Sequence, residues 1–305
     1  MRIGFASTSN LAIPFIKAFQ ADGHEIVSLI SREAKRSGRG LNRKNLKIDE
    51  FANAHGIRVF HPEETNTLYD HLIETQPDMV FVISYGSLID KKLLEIPKYG
   101  WVNLHFSLLP AYRGAAPVQR AILEGEANSG ITFFKLDQGM DTGPIYLARE
   151  FPINQDETTS EVLNRLSIEG STMTLAVLEM IKEFKQPVGQ SIEGACFAPK
   201  FQKKDGEINW EGSSESIYNL YRALGFNPGI WSVLNGVRIR INNLRRSDVL
   251  SDLRPGDINV VNEKMYVGTS DGIIEILELT PAGRNSMTGA EFVRGLTSKV
   301  GLHFG

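Results

Sequence analysis

Cysteine is nearly absent from this chain, since Cys196 is the single cysteine among 305 residues. One thiol can form neither an intramolecular disulfide bond nor a thiolate metal site, and such scarcity is typical of proteins in a reducing compartment. The histidines show no metal-ligand spacing, and the sequence contains no HExxH or CxxC motif. We therefore expect no disulfide framework and no bound metal.

Long apolar runs are missing as well. No segment approaches the roughly 20 apolar residues that cross a bilayer. The opening MRIGFAS also lacks the basic and then apolar profile of a secretory signal. These absences predict a cytoplasmic protein without a membrane partner.

Several nucleotide and hydrolase motifs are also lacking. The first predicted turn from strand to helix, Ala6–Asn10, has no GxGxxG pattern, so a dinucleotide site is not expected there. A Walker loop does not occur, and Ser107 precedes Leu-Leu-Pro instead of lying in a GxSxG elbow. The sequence therefore argues against a Ser-His-Asp hydrolase.

The net charge of −3 conceals one basic segment. Residues 32–47 contain seven lysine and arginine side chains against one glutamate. A solvated loop without a partner is the commoner explanation of an isolated charge run. A clustered basic loop can nevertheless hold phosphate groups in a protein that is acidic overall.

Apolar strands and amphipathic helices alternate in the first half of the chain. The predicted strands include Arg2–Ser7, Glu25–Ser31 and Asp78–Ser84, and the predicted helices include Ile13–Phe19 and Leu68–Glu74. This alternation predicts a parallel sheet that is covered by helices and joined by right-handed crossovers. The predicted fold class is therefore α/β, with a Rossmann-like N-terminal domain over residues 1–185.

A long helix is predicted at the end of this domain. Apolar residues recur at helical spacing from Glu157 to Phe184, with Gly170 as a possible break near the middle. Residues 186–204 show turn residues and no clear period, so we predict a linker.

A different pattern begins at Asp205. Five short predicted strands follow one helical segment, and Asn235-Gly236 between two of them is a strong hairpin signal. The pattern predicts an OB-like β-barrel domain over residues 205–305. Arg238 and Arg240 share a face of one strand. A basic strand on a small barrel is one kind of nucleic-acid platform, although surface arginines are more often only solvated.

Chemically useful side chains concentrate between Trp101 and Gly143. Asn103 and His105 lie two residues apart on a predicted strand and therefore project from the same face. Asp141 lies in a loop whose glycines let the backbone fold back. A rigid scaffold can aim groups on strand ends and loops at one small volume. We interpret this stretch as a candidate active site.

These three side chains suit one kind of chemistry. An asparagine amide can donate hydrogen bonds to an oxyanion that forms on a carbonyl carbon. A histidine can move a proton near neutral pH, and a neighbouring carboxylate fixes its ring. Together they suit acyl transfer to a neutral amine, which loses a proton as it attacks. Alone, each is commonly a turn former, a core histidine or an Asx-turn aspartate, so the hypothesis depends on the combination.

Several segments of the chain match one known pattern. They are Asn103–Pro110 (NLHFSLLP), Arg113–Pro117 (RGAAP), Asp137–Gly143 (DQGMDTG), Phe197–Lys200 (FAPK), Gly206–Trp210 (GEINW) and Pro281–Arg284 (PAGR). Together they resemble the formyltransferases that use 10-formyltetrahydrofolate. The basic Ser37–Gly40 loop and the RGAAPVQRAIL run are similar to the branch of that family that formylates initiator methionyl-tRNA.

The resemblance implies roles for individual residues. It implies that the catalytic residues are Asn103, His105 and Asp141. It implies that the co-substrate 10-formyltetrahydrofolate contacts Ser107, Leu108, Leu109, Pro110, Val82, Ile83, Ser84, Tyr85, Gly86, Asp137 and Gly139. It implies that initiator methionyl-tRNA contacts Arg36, Arg39, Arg43, Lys44, Arg238 and Arg240. We also expect the protein to act as a monomer.

Two other functions fit parts of the sequence. A formyltransferase acting on an amino sugar nucleotide resembles the central block and can carry a C-terminal barrel, but it does not need the basic segment 32–47. A non-catalytic nucleic-acid-binding module could lose its asparagine, histidine and aspartate freely, whereas all three are present here. The sequence therefore favours the tRNA substrate over both.

Overall fold

The structure is a computed structural model that describes residues 1–33, 46–248, 252–296 and 301–305. Contacts within the chain divide it into two compact units. The first unit consists of Met1–Pro117, Asn128–Pro152 and Val162–Pro199, and the second of Val118–Ala127, Ile153–Glu161 and Lys200–Gly305. No helix in the described ranges is both long and apolar enough to cross a bilayer.

The first unit is built on one sheet. Its strands within the described residues are β1 (Arg2–Ser7), β2 (Glu25–Ile30), β3 (Val59–Phe60), β4 (Met79–Ile83), β5 (Trp101–His105), β6 (Asn128–Lys135) and β7 (Ile145–Pro152). The helices of this part of the chain are α1 (Ile13–Ala21), α2 (Lys47–Ala54), α3 (Thr65–Thr75), α4 (Lys91–Leu94), α5 (Pro117–Leu123) and α6 (Thr159–Lys182). The strand order is β3-β2-β1-β4-β5-β6-β7. The predicted Rossmann-like arrangement is confirmed for β1 to β5, which pair in parallel.

β6 runs against the direction of the other strands of this sheet, which the alternating pattern did not predict. β6 pairs antiparallel with β5 and with β7. A parallel strand requires a crossover connection, usually a helix packed on the sheet. Most of α5, the helix between β5 and β6, groups with the second unit instead.

Gly170 does not break the long helix, contrary to the prediction. α6 continues through it from Thr159 to Lys182. A Cβ atom at this position would lie 3.0 Å from Cζ of Phe15 and 3.3 Å from Cδ1 of Ile131. Glycine therefore serves close packing of the helix on the sheet, at a cost in helix propensity of about 1 kcal/mol.

His71 makes the stability of the first unit dependent on pH. Its ring is 2% exposed, stacks on Phe60 at 4.0 Å and has Nε2 3.0 Å from Oγ of Ser28. The pKa of His71 is lowered from 6.5 to about 4, mainly by burial and in smaller part by the nearby Arg58 charge, while the Glu74 charge opposes the shift. The folded state therefore keeps the ring neutral where the unfolded chain already binds a proton.

We expect the free energy of unfolding to fall by about 3 kcal/mol from this group as the pH drops from 6.5 to 4. Urea unfolding at a series of pH values measures this loss. His71→Gln removes the titrating ring, so its unfolding free energy should depend less on pH by the same amount. Parallel pH curves for the two proteins would contradict this role of His71.

Among its described residues, the second unit contains an antiparallel sheet and two further helices. Its strands are β8 (Ile230–Leu234), β9 (Val237–Ser247), β10 (Ile258–Val261), β11 (Lys264–Gly268), β12 (Ile273–Pro281) and β13 (Met287–Thr288), and its helices are α7 (Ser214–Leu224) and α8 (Gly289–Arg294). The strand order is β10-β11-β12-β9-β8, with β13 paired to β12. Phe304 bridges Leu234 at the end of β8, and His303 bridges Asp257 beside β10. The two edges of the sheet are thereby joined, as in the predicted OB-like barrel.

Candidate active site

β5 presents Asn103 and His105 from the middle of the first unit's sheet. Asn103 is in register with Val82 on β4 and with Phe134 on β6, and His105 is opposite Thr132. Because side chains alternate along a strand, the amide and the imidazole lie on the same face. Their relative placement therefore depends on regular strand geometry rather than on a loop.

The His105 ring is fixed by a backbone carbonyl. It is 6% exposed, and its Nε2 lies 2.9 Å from the carbonyl oxygen of Tyr112. A carbonyl can only accept, so Nε2 carries the proton and donates it. In the neutral ring Nδ1 is then the basic atom, and it lies 3.7 Å from Oδ2 of Asp141. The pair is close enough for a carboxylate to stabilise a protonated ring.

Asp141 is held in an uncommon backbone conformation. Its φ is 54°, in the left-handed region, and its carboxylate Oδ2 accepts a 2.8 Å hydrogen bond from the N–H of Gly114. Gly143 lets the loop pass close to β6, because a Cβ there would lie 1.8 Å from the carbonyl oxygen of Lys135. Such strained positions persist only where the surrounding structure holds them, and they cluster at functional sites.

The Asn103 side chain has hydrogen-bonding capacity to spare. Its Oδ1 is buried and has no hydrogen-bond partner among the described residues. Buried polar atoms in native proteins are almost always hydrogen-bonded, so each exception calls for a physical explanation. A ligand that completes the hydrogen bonds of this amide is such an explanation.

Buried side-chain hydrogen bonds stabilise the turn that follows β5. Ser107 is 1% exposed, and its hydroxyl donates a hydrogen bond to the carbonyl of Ala111. The Thr132 hydroxyl donates to the carbonyl of Ser107 and accepts a hydrogen bond from the N–H of Leu109. Leu108 is half-buried, and Leu109 is buried ahead of a cis bond to Pro110. The Ser107 side chain thus stabilises the turn through its hydroxyl.

The other proposed folate contacts lie at the end of β4 and in the 137–143 loop. Val82, Ile83 and Tyr85 are buried, and Ser84 (φ 50°) and Gly86 (φ 68°) are exposed left-handed residues. Burial raises the pKa of the Tyr85 phenol. The positive charge of Arg32, whose guanidinium lies 5.3 Å from the centre of the Tyr85 ring, opposes this increase.

The Asp137 carboxylate organises its own loop. It accepts hydrogen bonds from the N–H of Gly139 and the hydroxyl of Thr142, at 3.0 and 2.7 Å. Asp137 and Gly139 line a cavity of about 620 Å³ together with three lysine side chains. Asn103, His105 and Asp141 do not line this cavity.

The proposed tRNA contacts fall into two groups. Arg36, Arg39, Arg43 and Lys44 lie outside the described residues. Arg238 and Arg240 are exposed on one face of β9. The Arg238 guanidinium lies 3.9 Å from the centre of the Trp231 ring, and Arg240 donates to the carbonyl of Phe226 at 3.2 Å.

The sequence did not predict that residues 190–198 support the site through hydrogen bonds to the loop beside His105. Residues 190–198 lie within the predicted linker, yet they contact the loop beside His105. Arg113 donates through its N–H to the carbonyl of Cys196, and its carbonyl accepts from the N–H of Ala198. Gln190 accepts from the Arg113 guanidinium. The FAPK match at Phe197–Lys200 was the available signal that this segment is more than a spacer.

The fold and this site together define a two-domain formyl transferase. The chain matches the formyl transferase family over residues 1–178 and the C-terminal domain of formyl transferases over residues 200–297. It therefore belongs to the formyl transferase family.

Within that family, the chain is similar over its full length to methionyl-tRNA formyltransferases. It is 34% identical to the one from Corynebacterium diphtheriae, with 99% of each chain covered. It is 35% identical to the one from Syntrophomonas wolfei, with 100% of this chain and 99% of the relative covered. The resemblance deduced from the sequence is thereby confirmed.

Solved structures share the fold at lower sequence identity. HypX from Aquifex aeolicus in complex with tetrahydrofolic acid superimposes with a TM-score of 0.72 at 19% identity, covering 97% of this chain, which spans 48% of HypX. WlaRD, a sugar 3N-formyl transferase, superimposes with a TM-score of 0.65 at 18% identity, and the match covers 93% of this chain and 99% of WlaRD. Methionyl-tRNA formyltransferase from Clostridium thermocellum superimposes with a TM-score of 0.61 at 19% identity, and the match covers 82% of this chain and 95% of that protein.

Proposed function

We propose that this chain transfers the formyl group of 10-formyltetrahydrofolate to the α-amine of initiator methionyl-tRNA. The product is N-formylmethionyl-tRNA, which serves translation initiation. The observation that carries the proposal is the placement of the Asn103 amide on the same strand face as His105, whose basic nitrogen lies 3.7 Å from the Asp141 carboxylate. Full-length similarity to proteins named methionyl-tRNA formyltransferase supports the choice of acceptor.

Asn103 acts on the formyl oxygen. When the amine attacks the formyl carbon, negative charge develops on that oxygen. The side-chain amide donates a hydrogen bond to this charge from a fixed position on β5, so it need not reorganise during the reaction.

His105 acts on the amine proton. Its Nδ1 accepts the proton that the amine loses, while Nε2 keeps its bond to the carbonyl of Tyr112. The negative charge of the Asp141 carboxylate, 3.7 Å from Nδ1, stabilises the resulting imidazolium. As the oxyanion re-forms the C=O bond, the bond between the formyl carbon and the folate nitrogen breaks, and the departing nitrogen takes the proton from His105.

The proposal assigns the rest of the chain as well. Residues 1–185 form the catalytic domain, residues 186–204 join it to the barrel, and residues 205–305 bind tRNA. The folate lies against Val82–Gly86, Ser107–Pro110, Asp137 and Gly139. Basic side chains of segment 32–47 and of β9 bind tRNA phosphates. The protein works as a cytoplasmic monomer.

A sugar nucleotide is the second candidate acceptor. The observation that favours it is the likeness to the sugar 3N-formyl transferase, whose fold matches 93% of this chain. Identity to that protein is 18%, against 34–35% for relatives named methionyl-tRNA formyltransferase. The tRNA substrate is therefore the stronger proposal.

Radiolabelled formyl transfer from 10-formyltetrahydrofolate tests the acceptor. The assay compares methionyl-tRNA with unacylated tRNA and with an amino sugar nucleotide, and it uses His105→Ala as the control for the site. We expect transfer to methionyl-tRNA alone. Transfer to the sugar alone would keep the active site and reject the tRNA acceptor, and no transfer to either would reject the proposal.

A further inference from the structure

The side chain of Gln190 connects the two loops on either side of the His105–Asp141 pair. Its amide oxygen accepts two hydrogen bonds from the Arg113 guanidinium, from Nε at 3.2 Å and from Nη2 at 2.6 Å. Its amide nitrogen donates to the carbonyls of Asp141 and Gly143, both at 2.8 Å. One planar group thus fastens residues 112–114 to residues 141–143.

Both fastened loops contact the reacting pair directly. Arg113 is flanked by the carbonyl of Tyr112, which accepts from His105, and by the N–H of Gly114, which donates to Asp141. Asp141 also occupies the left-handed region, which a residue other than glycine keeps only when its surroundings impose it. The hydrogen bond from Gln190 to the Asp141 carbonyl is one of these constraints.

This set of contacts requires an amide. Glutamine offers an acceptor on one side and two N–H donors on the other, and all are used here. A carboxylate would keep the contact with Arg113 but would turn a second acceptor toward the carbonyls of Asp141 and Gly143. A methionine would have a similar length and make none of these bonds.

We infer that Gln190 is a positioning residue for formyl transfer, which sets the placement of the Asp141 carboxylate relative to His105 through the backbone of both loops. The inference rests on the proposed function for its kinetic test. It also has a structural readout that needs no acceptor, the hydrogen bond from the Gly114 N–H to Asp141.

The kinetic test measures kcat and KM for methionyl-tRNA in Gln190→Met and Gln190→Glu. A misplaced reacting group costs on the order of 100-fold, so we expect kcat to fall by about that factor in both, with KM changed less than about threefold. Gln186→Met is the matched control. Gln186 is exposed on the same segment, and its side chain donates to the carbonyl of Phe184, at 3.3 Å.

A double-mutant cycle separates positioning from a general structural effect. If Gln190 acts through Asp141, then Gln190→Met should lower kcat by less than about threefold in an Asp141→Asn background. Equal losses in both backgrounds would overturn the inference. The inference would also be overturned if Gln190→Met lowered the unfolding midpoint so far that the unfolded fraction accounted for the loss of kcat.

Amide hydrogen exchange at Gly114, measured by NMR on the full chain without substrates, is the second readout. We expect exchange to be at least about tenfold faster in Gln190→Met and unchanged in Gln186→Met. Unchanged exchange in Gln190→Met would contradict the positioning role. If the wild type fails to formylate methionyl-tRNA, the proposed function falls, and the exchange measurement still decides the role of Gln190.

Discussion

Replacing His105 with alanine is expected to lower kcat for formyl transfer by about 10³- to 10⁴-fold, at the upper end of general acid–base effects. The substitution removes Nδ1, which the proposed mechanism uses to accept the amine proton. It also leaves the Asp141 carboxylate without the ring that lies 3.7 Å away. Single-turnover kinetics with saturating methionyl-tRNA measure the loss at the chemical step.

His61 provides a matched control for this substitution. Its Nε2 lies 3.0 Å from Oδ2 of Asp49, so it is also a histidine paired with an aspartate, but outside the candidate site. We expect His61→Ala to retain kcat within about threefold even if stability falls, because it touches no reacting group. A folded His105→Ala protein that keeps kcat within about tenfold of wild type would refute the assignment of the base.

Replacing Asn103 with leucine is expected to lower kcat by about 10³-fold with little change in the KM for folate. Leucine has a similar volume but no donor, so the charge on the formyl oxygen would develop beside an apolar group. Asn103→Asp should be slower still, because a carboxylate repels that charge. Steady-state kinetics at varied 10-formyltetrahydrofolate separate the two parameters.

Asn128→Leu is the corresponding control on the neighbouring strand. Asn128 lies at the exposed start of β6, away from the polar groups of the site. It should keep both kcat and KM. If Asn103→Leu instead raised KM for folate and left kcat intact, the amide would bind the ground state rather than the developing oxyanion.

Regular strand geometry explains which parts of the site were predictable. The two-residue spacing of Asn103 and His105 determines that they share a face, whatever the rest of the chain does. The glycines around Asp141 likewise predicted a backbone reversal, and the residue has a φ of 54°. The alternation of apolar strands and amphipathic helices predicted the parallel part of the sheet in the same way.

Long-range contacts explain what was missed. Gln190 is 49 residues from Asp141 along the chain, and no local pattern indicates that its amide reaches the Asp141 carbonyl. Gly170 was interpreted by its local effect on a helix, whereas its surroundings, Phe15 and Ile131, come from distant parts of the sequence. The antiparallel direction of β6 is likewise not indicated by any local pattern in the seven residues of α5, the helix that precedes it.

The ring of His105 and the carboxylate of Asp141 are each oriented by a peptide group, the carbonyl of Tyr112 and the N–H of Gly114. Peptide groups do not ionise in the pH range in which proteins fold, so the groups that orient the pair keep their hydrogen-bonding character across that range. These groups are also independent of side-chain identity. The glycine at 114 is nevertheless required, because it has a φ of 120° and a Cβ there would lie 2.9 Å from the carbonyl oxygen of Ala198.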